Sequence, residues 1–323
     1  MRKDISFVTE DGTELCGFLH VPDGAQIDAL ADSRRPGIVM AHGFSGVKEQ
    51  IDHYAAYFAE GGFDVLVYDH RGFGTSSGTP RLEVDPAVQL ADWRDAISRF
   101  LALRPLAPTG VGVWGSSFAG GLAMVLAATD PRVRCVVAQM PNVSGARNSV
   151  GLFDDVRLAE LRRRFDADRT ARLAGKEPEL IQVFTTSDDE LCALPPRVSP
   201  RYIESGYEWY PTWKNEVTLR SVEHMITFEP AGWVPHIGPK PLLMIVAAED
   251  RCTFPEIQFD AFNTAREPKR LVVHQGGHFD TYTEHFEETS VPAREWFLQH
   301  LDAAAAARGA GRPGSHSGSS AST

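Results

Sequence analysis

Short apolar runs alternate along the chain with longer stretches in which apolar residues recur at helical spacing. A turn over 10–15 (EDGTEL) predicts an opening hairpin. The pair Asp85–Pro86 is a start signal for the helix DPAVQLADWRDAISRFLAL. The alternation predicts an α/β fold with a mostly parallel central sheet flanked by helices. Six runs of consecutive apolar residues predict strands covered on both faces, over 37–43, 64–69, 110–115, 132–140, 240–248 and 270–275.

The stretch between the fourth and fifth of these runs is too long for a simple connection. It begins with charged helical sequence and continues with clustered aromatic residues. We therefore expect a core of residues 1–141 and 240–302, with a helical cap over 142–239. Counting the two strands of the opening hairpin, the cap is inserted between the sixth and seventh core strands. The alternative to a cap is that the inserted helices lie at the periphery of the core. The aromatic residues of the insertion are Tyr202, Tyr207, Trp209, Tyr210, Trp213 and Trp233, and of these Trp209, Tyr210 and Trp213 are predicted to line a substrate pocket.

Composition narrows the range of partners. The chain has 323 residues and a net charge of -11, which argues against nucleic acid or an anionic membrane surface. Its four cysteines have no paired spacing, so they predict neither a disulfide framework nor a zinc site and suit a reducing cytoplasm. The amino terminus lacks the apolar run of a signal peptide. Residues 303–323 are predicted to be the end of a helix and a disordered Gly/Ser-rich tail.

The motif GSSFAGG carries the first candidate for chemistry. It follows the apolar run 110–115, in an uncharged stretch that its glycines and serines make a poor membrane span. A nucleophilic serine on a sharp strand-to-helix turn requires small residues two positions before and after it. Gly115 and Ala119 meet this requirement for Ser117, whereas Trp114 and Phe118 would flank Ser116. The pattern therefore selects Ser117 as nucleophile and Ser116 as a neighbour that hydrogen-bonds locally.

A serine hydroxyl needs a base, and the base needs an acid that orients it. In this chain order the acid should follow a later strand. The run 240–248 is followed by Glu249 and Asp250, of which Asp250 is the better candidate. The other usual place for the acid, after the strand that ends near residue 141, holds Asn142 and no nearby carboxylate.

The candidate base is His278, just past the last predicted strand on a two-glycine turn. His274 falls inside that strand, and His285 is placed at the start of the next helix. Acyl transfer also needs donors for the oxyanion. The backbone N–H of Phe118, directly after Ser117, is one candidate, and the N–H of Phe44 in HGFSG is the second.

Five motifs in this order resemble the α/β-hydrolase superfamily: HGF, YDHRGFGTSSG, GSSFAGG, AAED and GGHFD. The segments GGHFDTY and YPTWKNEVTLRS are similar to the dienelactone-hydrolase-like branch, which includes serine esterases and the hydrolases or acyltransferases of polyketide pathways. Two residues depart from the pattern, since Ala119 replaces a commoner glycine and Ser117 replaces the cysteine of true dienelactone hydrolases. The resemblance implies that the turn at 69–72 is structural.

These observations predict a cytoplasmic serine hydrolase. It would cleave an ester or thioester of a small to medium, apolar or aromatic substrate through Ser117, His278 and Asp250, without cofactor or metal. An acyltransferase or C–C bond hydrolase using the same residues is the alternative, and a non-catalytic ligand-binding relative is a third. Dehalogenase or epoxide hydrolase chemistry is disfavoured, because those relatives place an aspartate at position 117. The sequence is compatible with a homodimer and does not fix the oligomeric state.

Overall fold

The computed structural model describes residues 1–107, 110–185, 187, 190–194 and 210–301. Trp209 and the predicted tail over 303–323 lie outside the described residues. None of the helices in the described part of the chain is long and apolar enough to cross a membrane.

The described strands form one large sheet and one small sheet. Each of the six predicted core strands is found, with its ends within two residues of the predicted ones. The opening hairpin is also confirmed. The strands are β1 Arg2–Val8, β2 Glu14–His20, β3 Gly37–Ala41, β4 Asp64–Tyr68, β5 Val111–Ser116, β6 Val133–Gln139, β7 Leu180–Gln182, β8 Glu216–Thr218, β9 Leu242–Ala247 and β10 Lys269–His274.

The large sheet has eight strands in the order β1-β2-β4-β3-β5-β6-β9-β10. Strand β2 runs antiparallel to both of its neighbours, and the other pairs are parallel. Because β5, β9 and β10 are parallel, their carboxyl ends lie at the same edge of the sheet. The residues that follow these three strands can therefore meet.

Helices cover both faces of the sheet, which explains the unbroken apolar runs of the central strands. One face packs against α2 and α3, and the other against α1 and α8. Asp85 begins α2 as predicted, since its carboxylate accepts the N–H groups of Ala87 and Val88. The helices are α1 Asp52–Glu60, α2 Pro86–Ala102, α3 Phe118–Thr129, α4 Gly145–Leu152, α5 Asp155–Leu173, α6 Leu219–Thr227, α7 Pro255–Thr264 and α8 Phe286–Leu301.

The inserted segment contains α4, α5 and α6, and α6 packs on both of the other helices. It also contains the antiparallel pair β7–β8, which the sequence analysis did not predict. The segment contacts the core through residues 82–84: the N–H of Thr218 donates to the carbonyl of Leu82, and the Arg220 guanidinium pairs with Glu83. These contacts hold the insertion beside the carboxyl edge of the large sheet.

Candidate active site

Ser117 occupies the turn between β5 and α3. Its φ of 57° and ψ of -122° lie in a region that side-chain-bearing residues rarely adopt. A Cβ on Gly115 would come within 2.1 Å of the carbonyl oxygen of Ala119, so only glycine fits there. Ser116 is buried and bonds the hydroxyl of Tyr282 at 2.6 Å. The expectation of a local partner for Ser116 is wrong, because Ser116 ends β5 and its hydroxyl meets Tyr282, which is distant in sequence.

The structure brings Ser117, His278 and Asp250 together. His278 Nε2 lies 3.0 Å from Ser117 Oγ, and His278 Nδ1 lies 2.7 Å from Asp250 Oδ2. Asp250 also accepts the N–H groups of Cys252 and Thr253 and the Thr253 hydroxyl. These bonds fix the carboxylate so that it holds the imidazole towards the serine. His278 meets Asp250 and not the neighbouring Glu249.

Asp250, Cys252 and His278 place possible metal ligands within 4.8 Å of one another. Burial, and then the charge of Asp250, raise the pKa of the Cys252 thiol well above its ordinary value. A metal ligand must be a thiolate, which this environment disfavours. Since both carboxylate oxygens of Asp250 are already hydrogen-bonded, the contacts favour an acid–base pair over a metal centre.

The two predicted oxyanion donors flank the serine. Neither the N–H of Phe44 nor that of Phe118 donates a hydrogen bond to another described residue. The Phe44 loop approaches closely, since a Cβ on Gly43 would lie 3.1 Å from the Ser117 Cβ. Two N–H groups beside a nucleophile are the arrangement that an oxyanion requires.

His42 orients the Phe44 peptide, a role that the sequence analysis missed. Its Nδ1 lies 2.9 Å from the carbonyl oxygen of Gly43, and its Nε2 accepts the N–H of His70 at 3.1 Å. Nδ1 must therefore carry the proton and donate to Gly43. The Gly43 carbonyl oxygen also accepts the N–H of Gly46 at 3.2 Å. Because the C=O and N–H of a trans peptide point in opposite directions, these two bonds hold the Phe44 N–H so that it points away from His42. The signal in the sequence was the His-Gly pair, which alone does not distinguish this role from a turn.

The turn at 69–72 supports the same loop. Asp69 accepts the backbone N–H of Lys48 at 2.7 Å, the Lys48 ammonium at 2.6 Å and the N–H of Thr75 at 2.9 Å. Burial is the largest single influence on the pKa of Lys48 and lowers it, but the charge and hydrogen bond of Asp69, together with Glu49, outweigh burial and raise the pKa. This ion pair ties the turn to the segment that follows Phe44, in agreement with a structural role.

Two cavities adjoin Ser117, and both are lined by Phe44, Ser117 and Leu194. Counted with the space that is open to solvent, the first cavity has a volume of about 470 Å³ and the second about 380 Å³. The first is lined further by His42, Gln50, Phe184, Trp213, His278, Phe279 and Tyr282. The second is lined further by Phe118, Asn142, Asn148, Leu152, Met225, Cys252 and Thr253.

The aromatic residues of the inserted segment that were predicted to line the pocket have different positions. Trp213 is buried and lines the first cavity. Tyr210 is half-buried, packs against the core and is not among the lining residues of either cavity. Its carbonyl accepts the N–H of Trp213, so Tyr210 begins the turn that presents the tryptophan. Trp209 lies outside the described residues, and Trp233 is 45% exposed.

Comparison with known proteins identifies the architecture. The model of a family described as having the alpha/beta hydrolase fold matches residues 36–284. A thiohydrolase of Aspergillus aculeatus is 30% identical over 83% of each chain. A polyketide transferase of Stachybotrys chlorohalonatus is 30% identical over 86% of this chain and 90% of its own. The crystal structure of the alpha/beta hydrolase GrgF from Penicillium sp. sh18 superposes with a TM-score of 0.78 at 26% identity, covering 93% of this chain and 99% of that one.

Proposed function

Because the chain belongs to the family with the α/β-hydrolase fold, we propose that it cleaves a carboxylic thioester or ester through an acyl-enzyme on Ser117. The observation that carries the proposal is the pair of hydrogen bonds that link Ser117 to His278 and His278 to Asp250. A serine hydroxyl becomes a strong nucleophile only beside such an oriented base. The N–H groups of Phe44 and Phe118, which no described residue accepts, supply the site for the oxyanion.

The first half of the reaction forms the acyl-enzyme. Ser117 Oγ attacks the carbonyl carbon while His278 Nε2 takes its proton, and the N–H groups of Phe44 and Phe118 stabilise the oxyanion. The tetrahedral intermediate then expels the thiol or alcohol, which receives that proton from His278. Asp250 remains ionised and stabilises the imidazolium between the two transfers.

The second half releases the acyl group. A water molecule, or an alcohol or amine acceptor, loses a proton to His278 as it attacks the acyl-enzyme, and Ser117 regains the proton when it leaves. Hydrolysis and acyl transfer therefore differ only in which nucleophile reaches the acyl carbon. Both outcomes are represented among the relatives, which carry the names thiohydrolase and polyketide transferase. We propose a secondary-metabolite acyl substrate on the same grounds.

The apolar and aromatic lining of both cavities supports an apolar or aromatic substrate. Phe184, Trp213 and Phe279 form part of the wall of the first cavity. Leu152 and Met225 form part of the wall of the second. Apolar walls favour an apolar ligand and exclude water from the acyl-enzyme. Exclusion of water is the condition under which a bound acceptor competes with hydrolysis.

Replacement of the two adjacent serines tests this proposal. We expect Ser117→Ala to lower kcat for an acyl thioester by about 10⁴-fold or more, because the variant lacks the hydroxyl that forms the acyl-enzyme. Ser116→Ala is the matched control, since it removes a neighbouring hydroxyl that bonds Tyr282 and should leave kcat within about tenfold of wild type. Release of the thiol is followed with a thiol reagent, and product analysis with and without an alcohol acceptor separates hydrolysis from transfer. Retention of kcat in Ser117→Ala would remove Ser117 from this role.

A further inference from the structure

The second cavity contains an unexplained polar side chain. Asn142 follows β6, is only 5% exposed and lines this cavity beside Ser117. Its backbone N–H donates to the carbonyl oxygen of Ser117 at 2.9 Å, so it is a direct neighbour of the candidate nucleophile. The rest of the cavity is largely apolar, with Phe118, Leu152 and Met225 in its wall.

The hydrogen bonds around Asn142 determine which end of its amide is engaged. The backbone N–H of Phe254 donates to Asn148 Oδ1 at 3.1 Å, which identifies that atom as the oxygen. Asn148 Nδ2 then donates to Asn142 Oδ1 at 2.8 Å. Asn142 Nδ2 is left without an acceptor among the described residues. A donor that faces a cavity without an acceptor gains one when a ligand supplies it, so such a ligand gains affinity there.

The position of His278 assigns the two cavities to the two halves of a substrate. In the proposed reaction, His278 must protonate the leaving group and then deprotonate the incoming nucleophile. His278 lines the first cavity and is not among the residues that line the second. The leaving group therefore belongs in the first cavity, and the acyl chain belongs in the second.

We propose that Asn142 Nδ2 donates a hydrogen bond to an oxygen on the acyl chain, close to the scissile carbonyl. The inference rests on the proposed function and narrows its substrate class to acyl groups that carry an oxygen acceptor on the chain, for which a β-ketoacyl thioester is the probe. Asn142 is thus a specificity-determining residue. The apolar wall accepts the remainder of the chain, and the amide selects chains that carry an oxygen near the reacting carbon.

The test compares two thioesters of equal chain length, one β-ketoacyl and one unsubstituted. Wild type should favour the β-ketoacyl thioester in kcat/KM. Asn142→Leu keeps the approximate size of the side chain and removes the donor, so it should reduce that preference by about tenfold. Met225→Leu changes an apolar residue of the same cavity and should leave the preference unchanged. Thermal unfolding reports whether each variant is folded, and p-nitrophenyl acetate, whose acyl group carries no further oxygen, serves as a substrate that Asn142 cannot select.

Two results would overturn the inference: a wild type without preference, or an Asn142→Leu variant that loses activity equally on both thioesters. A binding measurement separates this failure from that of the proposed function. In the Ser117→Ala background, calorimetry with the corresponding β-ketoacyl and unsubstituted acyl amides should show a preference that Asn142→Leu abolishes. If turnover survives Ser117→Ala while this preference is present, the nucleophile is wrong and the role of Asn142 stands.

Discussion

Ser116 and Ser117 are adjacent in sequence, but the turn after β5 gives them different environments. Ser116 ends the strand and is buried against Tyr282, whereas Ser117 lies on the turn, 3.0 Å from His278. The small residues that select Ser117 are visible in the sequence. The close contact between Gly115 and the Ala119 carbonyl explains why they are needed. The requirement for small residues two positions before and after the nucleophile therefore identifies Ser117 as the candidate.

Substitution of a single residue, His42, tests whether its side chain holds the Phe44 N–H in place. We expect His42→Ala to lower kcat by about 10- to 100-fold with a smaller change in KM, because the Gly43 carbonyl keeps only its bond from the Gly46 N–H and the Phe44 N–H is held less firmly. Loss of a whole oxyanion donor costs about 10²–10³-fold. His42→Asn should restore part of the loss, since the asparagine amide nitrogen can donate to Gly43 from nearly the same place. Steady-state kinetics on one thioester measures both variants. Wild-type kcat in His42→Ala would show that the loop holds the N–H without the histidine.

At the scale of secondary-structure elements, the turn at 69–72 contacts and stabilises the loop that carries Phe44. The backbone N–H of His70 bonds His42, but its imidazole is buried with neither ring nitrogen hydrogen-bonded to a described residue. The ring makes edge contacts with the rings of His42 and Trp93. Burial, together with the proximity of His42, lowers the pKa of His70 well below its ordinary value of 6.5. Burial also lowers the pKa of His42.

These shifts predict a loss of stability in mild acid. A histidine whose pKa is lowered on folding binds its proton in the unfolded chain first, so its contribution is complete above pH 6.5 and is lost as the pH falls from there towards the folded pKa. We expect His70→Phe to reduce the slope of unfolding free energy against pH below 6.5 by at most about 1.4 kcal/mol per pH unit. The backbone N–H that bonds His42 is retained, so activity should be retained as well. Urea unfolding at a series of pH values measures the slope.

The control for this measurement is His236→Phe, which replaces an exposed histidine of the insertion and should leave the slope unchanged. An unchanged slope in His70→Phe would show that the buried ring does not remain neutral in the folded protein.

Most of the helices and strands can be predicted from the local sequence pattern. The central strands are continuous apolar runs because both faces of the sheet are covered, and α2 begins where Asp85 can cap it. The pair β7–β8 could not be predicted, because each strand has only three residues and their pairing depends on contacts between distant parts of the chain. Local patterns are too short to specify such a pairing.

At the scale of the whole molecule, the parallel sheet explains why residues so distant in sequence meet. Ser117, Asp250 and His278 follow β5, β9 and β10, whose carboxyl ends share one edge. The order of motifs was therefore sufficient to predict that these side chains meet. The direction of the Asn142 amide and the hydrogen bond of His42 could not be predicted, since both depend on partners that only the folded chain brings into place.

Reaction with a fluorophosphonate probe, followed by peptide mapping, tests the central claim most directly. The probe forms a covalent bond with a serine only when a neighbouring base activates it. The account predicts a single adduct on Ser117 that is absent from Ser117→Ala and still forms in Ser116→Ala. An adduct on another residue, or a wild-type protein that does not react, would contradict the assignment of Ser117 as the nucleophile of this hydrolase.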